Sequence, residues 1–276
     1  MSFSLQVFFE NFFTKGIIMI FDTHAHYDDE AFDEDRNNLL KGMQSQGVDF
    51  IVNVGSSIDS TKKTLEIAKE YPFIYAAIGV HPSETEGLSE EDMQWIKSKA
   101  SYEKVVAIGE IGLDYYWPEP DKAVQKKWFE RQLQIAEEVK LPVIVHSRDA
   151  AKDTFEVLRE WKQNLTNVVI HCFSYSKEMA KEYLNMDFYF GIGGVLTFKN
   201  AKKLIEAVEY IPMDRILLET DCPYLAPDPY RGKRNQSNYI DLVAQKLSQI
   251  KKISKEKVLT QTMQNAKEFY GIERLN

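Results

Sequence analysis

The stretch IMIFDTHAHYDD, residues 18–29, runs from an apolar, strand-like segment into an aspartate and then two histidines standing two positions apart. Residues two apart on a strand project to the same side, so Asp22, His24 and His26 are expected on one face. There two imidazoles can offer nitrogens to one cation, and Asp22 can support them from behind. An isolated His-x-His pair is more ordinarily two satisfied histidines at a surface turn. What separates the two readings is whether similar polar endings return after other strands.

They do. Beyond IIMIFDT, apolar runs recur at VDFIVNVG, FIYAAIGV, KVVAIGEI, LPVIVHS, NVVIHCF, DFYFGIGG and DRILLETD. Stretches such as DEDRNNLLKGMQSQG, DSTKKTLEIAKEY and DKAVQKKWFERQLQIAEEVK, with apolar residues at helical spacing, lie between them. Gly47, Pro72, Pro142 and Pro212 mark helix-to-strand passages. Strict alternation of strand and helix predicts an α/β fold, a single-domain (β/α)8 barrel of the TIM type. NQSNYIDLVAQKLSQIKK and SKEKVLTQTMQNAKEFYG add two C-terminal helices that close the ring. An open doubly wound sheet would also alternate, but the glycine-rich phosphate turn after its first strand is missing.

Composition bounds the function. The 276 residues carry a net charge of −8 and are 44% hydrophobic, enough for a large core. The acidic balance speaks against wrapping a long duplex, but not against gripping a few phosphates in a local pocket. Two cysteines without paired spacing predict a reduced, cytoplasmic protein, and no run is long enough to span a bilayer. Residues 1–18, phenylalanine-rich and without signal-peptide features, are read as an N-terminal extension of no assigned function, with the barrel over 19–276.

All five histidines, His24, His26, His81, His146 and His171, follow strand-like runs, and Glu110 and Asp221 occupy equivalent positions after runs four and eight. They return at intervals of one or two βα units of roughly 30 residues. In a barrel the strand C-termini converge on one mouth, so these side chains are expected to meet in space. A carboxylate can bridge two cations roughly 3.5–4 Å apart, as two-metal hydrolases require. Asp221 is the candidate to orient a water and take its proton.

The motifs DTHAH, GEIGLDYYW, HSR, HCFS and LETDCP, in this order, resemble the TatD family of metal-dependent deoxyribonucleases, within the wider amidohydrolase-like metal barrels. The resemblance runs from about Met19 to Tyr270. It implies a nuclease with two divalent cations, magnesium, manganese or zinc. His24, His26, Glu110 and Asp221 would hold one, and Glu110, His146 and His171 the other, with Glu110 and Asp221 also catalytic. Four imidazoles favour zinc, manganese, cobalt or nickel over magnesium, with which the family's nuclease activity is usually associated. The implied partner is a nucleic-acid strand or end engaged over a few nucleotides, acted on by a monomer, with no membrane. The competing expectation is an enzyme cleaving a C–N or carboxylic ester bond of a small molecule or an aminoacyl-tRNA. A non-catalytic metal-binding scaffold is disfavoured, because no member of the ligand set is missing.

Other residues have two readings each. His81 either contacts substrate or a ligand's partner, or caps the next helix. Arg148 either steers a phosphate or pairs with Asp149 or Asp114. Tyr115, Tyr116 and Trp117 either stack a terminal base or pack. Arg231 and Lys233, with Arg234, either hold the next phosphate or form a solvated face. Cys172 and Cys222 are expected to be wall thiols. The family pattern leads one to expect RGKRNEP where this chain has Asn235, Gln236 and Ser237, and glycine where Tyr175 stands, which puts substrate preference in doubt.

Overall fold

In a computed structural model, residues 20–272 are described; the N-terminal extension expected over residues 1–18 lies outside them. Eight strands form one parallel sheet in sequential order: β1 (Ile20–Ala25), β2 (Val48–Val54), β3 (Ile74–Ile78), β4 (Val105–Asp114), β5 (Val143–Arg148), β6 (Val168–Ile170), β7 (Tyr189–Ile192) and β8 (Ile216–Leu218). The helices are α1 (Arg36–Met43), α2 (Ile58–Glu70), α3 (Glu90–Lys99), α4 (Lys122–Val139), α5 (Ala151–Trp161), α6 (Lys177–Leu184), α7 (Lys202–Tyr210), α8 (Ile240–Lys251) and α9 (Lys255–Tyr270). This is the (β/α)8 barrel that the alternation predicts. The strands read as unbroken apolar runs because both their faces are covered.

The ring closes at one end only. Ala25 bridges Cys222 in parallel, His26 N–H donates to Cys222 O (2.8 Å) and Asp221 N–H to His24 O (2.9 Å). The barrel interior holds at least one apolar residue from every strand, among them Phe21, Val52, Tyr75, Ala107, Ile144, Val169, Tyr189 and Leu217. The same cluster includes Met263, Ala266, Phe269 and Tyr270 of α9, which thereby plugs the N-terminal end of the barrel. Phe269 meets Tyr189 edge-on and Tyr270 stacks on Phe21. A second apolar layer, including Ile51, Ile78, Val145 and Ile170, faces the surrounding helices. Among the described residues no helix is long and apolar enough to cross a membrane.

Local chemistry sets the element ends. Ser57 and Ser254 cap α2 and α9 through their hydroxyls, and Ser89 forms a reciprocal capping box with Asp92 at α3. β4 is longer than its sequence run and carries Glu110 inside the strand, with a register shift against β5 between Ile108 and Ile111. Gly112, at φ +146°, lets that strand pass His146, whose carbonyl oxygen would lie 2.0 Å from an added Cβ.

Candidate metal centre

The strand ends bring His24, His26, Glu110, His146, His171 and Asp221 together at the C-terminal mouth. Glu110 lies at the middle. Its Oε2 is 3.5 Å from His24 Nε2 and 3.8 Å from His26 Nε2, while its Oε1 is 2.8 Å from His146 Nδ1 and 3.6 Å from His171 Nε2. Each oxygen thus faces a different imidazole pair. Asp221 Oδ1 reaches both sides, at 3.3 Å from His26, 3.7 Å from His171 and 3.9 Å from His24. Two of the triads whose donor atoms cluster closely enough for one cation are His24–His26–Asp221 and Glu110–His146–His171.

The donor set fits cations better than it fits itself. His26 Nδ1 lies 2.8 Å from Val54 O and can only donate to that carbonyl, so neutral His26 turns a bare Nε2 lone pair towards His24 Nε2, 3.1 Å away. His24 Nδ1 is buried without a partner. Electrostatics agree. Burial alone would raise Glu110, but His171, His146 and His24 hold its carboxyl well below the usual range. Asp221 is likewise lowered against burial by His171, His26 and His24. His26 is raised to about 9 and His171 to about 10, because carboxylates outweigh the burial that opposes their charge. Protons here occupy the places that divalent cations suit.

The surrounding residues differ from expectation. Asp22 does not stand behind the imidazoles. The β1–β2 register shifts between Asp22 and Ala25, and the Asp22 carboxylate accepts from Thr220 N–H (3.0 Å), Thr220 Oγ1 (2.6 Å), Ser237 Oγ (2.6 Å) and the backbone N–H of His24 (3.3 Å). It fastens β1 to the end of β8. Burial raises it to about 7 despite those donors. The role expected of Asp22 belongs to two other acids. Asp114 Oδ2 meets His146 Nε2 at 3.0 Å, and Glu219 Oε1 lies 3.1 Å from His171 Nδ1, off the line of a good hydrogen bond, while accepting from Cys172 N–H at 2.7 Å. Gly191 leaves room for Glu219, since a Cβ there would sit 2.1 Å from its Oε2. The signals were present: Asp114 shares the parity of Glu110, and Glu219 that of Asp221.

At the rim, His81 combines both its readings. Its Nδ1 accepts the N–H of Ser83 (3.1 Å), capping a short turn, and its ring packs edge-on against His146. Burial, helped by His146, lowers it to about 3. Arg148 is exposed and stacks on Tyr116 at 3.8 Å. It forms no ion pair with Asp149 or Asp114 among the described residues, and Asp114 is occupied by His146 and Tyr116 N–H. Arg231 lies over Phe198, and Lys233 is exposed. Arg234 instead pairs with Asp35 through both guanidinium nitrogens, at 2.8 and 2.6 Å. Tyr175 bonds Ser147 O (2.9 Å), joining the loop after β6 to β5. Cys172 and Cys222 are free, and burial pushes the Cys172 thiol well above its usual range.

Comparison with known proteins bears on the family. A family model described as TatD related DNase matches residues 21–271. A Bacillus subtilis (strain 168) protein named uncharacterized metal-dependent hydrolase YabD is 44% identical over 254 residues, spanning 92% of this chain and 100% of that protein. YcfH of Escherichia coli (strain K12), with the same description, is 35% identical over 260 residues, 93% of this chain and 97% of that protein. The crystal structure of YJJV, a TatD homologue from Escherichia coli K12, superposes with a TM-score of 0.86 at 28% identity, covering 92% of this chain and 99% of that one. The chain belongs to the TatD family and is a metal-dependent hydrolase.

Proposed function

We propose that this hydrolase cleaves phosphodiester bonds of nucleic acid, trimming a single strand or an end as a deoxyribonuclease with two divalent cations. The observation that carries the reading is Glu110, whose two oxygens face two separate pairs of imidazoles. His24, His26, Glu110 and Asp221 would hold one cation, and Glu110, His146 and His171 the other. Four imidazoles with two carboxylates suit zinc or manganese at least as well as magnesium. When bound, such a pair supplies Lewis-acid stabilisation of charge on the phosphoryl group.

The remaining work falls to the chain. Asp221, held ionised and within 3.9 Å of three imidazoles, orients the attacking water and accepts its proton at Oδ1. Asp114 takes the Nε2–H of His146, so the Nδ1 lone pair is aimed at the Glu110 side. His81 is neutral, and because Nδ1 accepts from Ser83, its proton sits on Nε2, ready to donate to a phosphate oxygen. Arg148, Arg231 and Lys233, all exposed, would meet phosphates further along the strand. A reducing, cytoplasmic setting fits the two free cysteines.

The test is elemental analysis of protein purified without added metal, followed by titration with manganese, zinc and magnesium on single-stranded DNA, RNA and a panel of amides and carboxylic esters. Metal-stimulated release of nucleotides from strand ends is expected. Turnover confined to the amides or esters would overturn the reading. Undiminished hydrolysis in His146→Ala would remove this centre from the chemistry.

A further inference from the structure

The loop between β4 and α4 exposes two large rings beside the metal centre. Tyr116 is 53% exposed and Trp117 56%, with the rings perpendicular at 4.8 Å. The guanidinium of Arg148 lies 3.8 Å from the Tyr116 ring centre. Tyr115, by contrast, is half-buried, with its hydroxyl on Asp153 (2.8 Å) and Lys122 over its ring. Packing explains Tyr115 and leaves its two neighbours unexplained.

The loop is rigidly built. Gln125, itself buried, accepts from Asp114 N–H (2.9 Å) and donates to the carbonyls of Asp114 and Pro120 (both 2.9 Å). Tyr115 N–H donates to Arg148 O (2.9 Å). One Asp114 oxygen accepts from Tyr116 N–H (3.0 Å), and the other meets His146 Nε2 (3.0 Å). A single carboxylate therefore sets the rings relative to a candidate metal ligand. Rings fixed before binding lose little entropy on binding.

We propose that Tyr116, Trp117 and Arg148 form a stacking platform for an unpaired nucleobase, on a strand whose neighbouring phosphodiester lies in the metal centre. This rests on the phosphodiesterase reading above. The rings supply faces that any base can stack on, and the guanidinium, without a carboxylate partner among the described residues, supplies the positive charge that a backbone phosphate needs. A purely apolar partner would leave that charge unmatched. A paired base is already stacked within its duplex, so the platform selects single strands or frayed ends.

The test separates binding from cleavage. With metal chelated, the full chain is titrated by tryptophan fluorescence with a short single-stranded oligonucleotide, an abasic strand of equal length, a blunt duplex and polyglutamate. Saturable quenching by the base-bearing strand alone is expected. Trp117→Leu should remove the quenching and weaken binding, measured by anisotropy, roughly tenfold, with Trp117→Phe restoring most of the affinity. No saturable quenching, equal binding of the abasic strand, duplex or polyglutamate, or unchanged affinity in Trp117→Leu would each overturn the platform. Base-dependent quenching without metal-stimulated cleavage would leave the platform standing and sink the nuclease reading. Cleavage without base dependence would do the reverse.

Discussion

The two ends of this barrel are made from the same eight strands and are put to opposite uses. At the N-terminal end Phe21, Tyr189 and Leu217 meet Phe269 and Tyr270 of α9 in a buried apolar plug. At the C-terminal end all five imidazoles gather with Glu110, Asp114, Glu219 and Asp221. Burying apolar surface stabilises the fold, whereas burying carboxylates and imidazoles without cations costs stability. The plug offsets what the mouth costs, and chemistry and cohesion are thereby separated along one axis.

That division can be broken by mutation. Phe269→Ala should lower stability by about 3–5 kcal/mol, read from the urea midpoint, while the folded fraction keeps its metal stoichiometry. Loss of metal with an unchanged midpoint would erase the distinction between the ends. Glu110→Gln should lower hydrolysis roughly 10²–10³-fold and deplete bound metal, and at neutral pH it should also lower the midpoint of the metal-free chain, because His171, His146 and His24 hold that carboxylate ionised. An unchanged midpoint would mean that those imidazoles do not hold Glu110 ionised in the metal-free chain.

Acidity sharpens the comparison further. His26 and His171, raised from 6.5 to about 9 and about 10, stabilise the metal-free chain fully below about pH 6.5 and cease to do so as pH climbs through those raised values. Divalent cations must displace these protons, so apparent affinity should rise with pH, by about tenfold per unit for each proton released. Calorimetry in buffers of differing ionisation enthalpy counts the protons, and a pH-independent affinity would contradict the assignment. The smallest effect is expected at the rim. Arg234→Ala should cost under ~1 kcal/mol and leave oligonucleotide affinity unchanged, because Asp35 already neutralises that guanidinium. Arg231→Ala should weaken binding and flatten its salt dependence.

The barrel was legible because buried parallel strands leave unbroken apolar runs and the polar endings return with the period of the βα unit. The convergence of His24, His26, Glu110, His146, His171 and Asp221 followed from that topology. The partners of those residues did not. Alternation along β1 suggested that Asp22 backs the histidines, but a register shift turns it to Thr220 and Ser237. Ser237 itself, where the family pattern leads one to expect proline, donates to Asp22 through a hydroxyl that proline lacks. Arg234 looked like a member of the basic loop, and only tertiary packing brings it to Asp35. Such pairings depend on loop geometry, which spacing alone does not encode.

The meeting of β1 and β8 carries a last consequence. These strands join through the Ala25–Cys222 bridge and a few bonds around Asp22 and Thr220, with His24 and His26 on one lip and Asp221 on the other. A cation held by that trio would act as a clasp across the gap where the chain's first strand finds its last. Amide exchange at His26 and Asp221 should therefore slow on loading more than at any other pair of neighbouring strands, since elsewhere the hoop is already sewn shut.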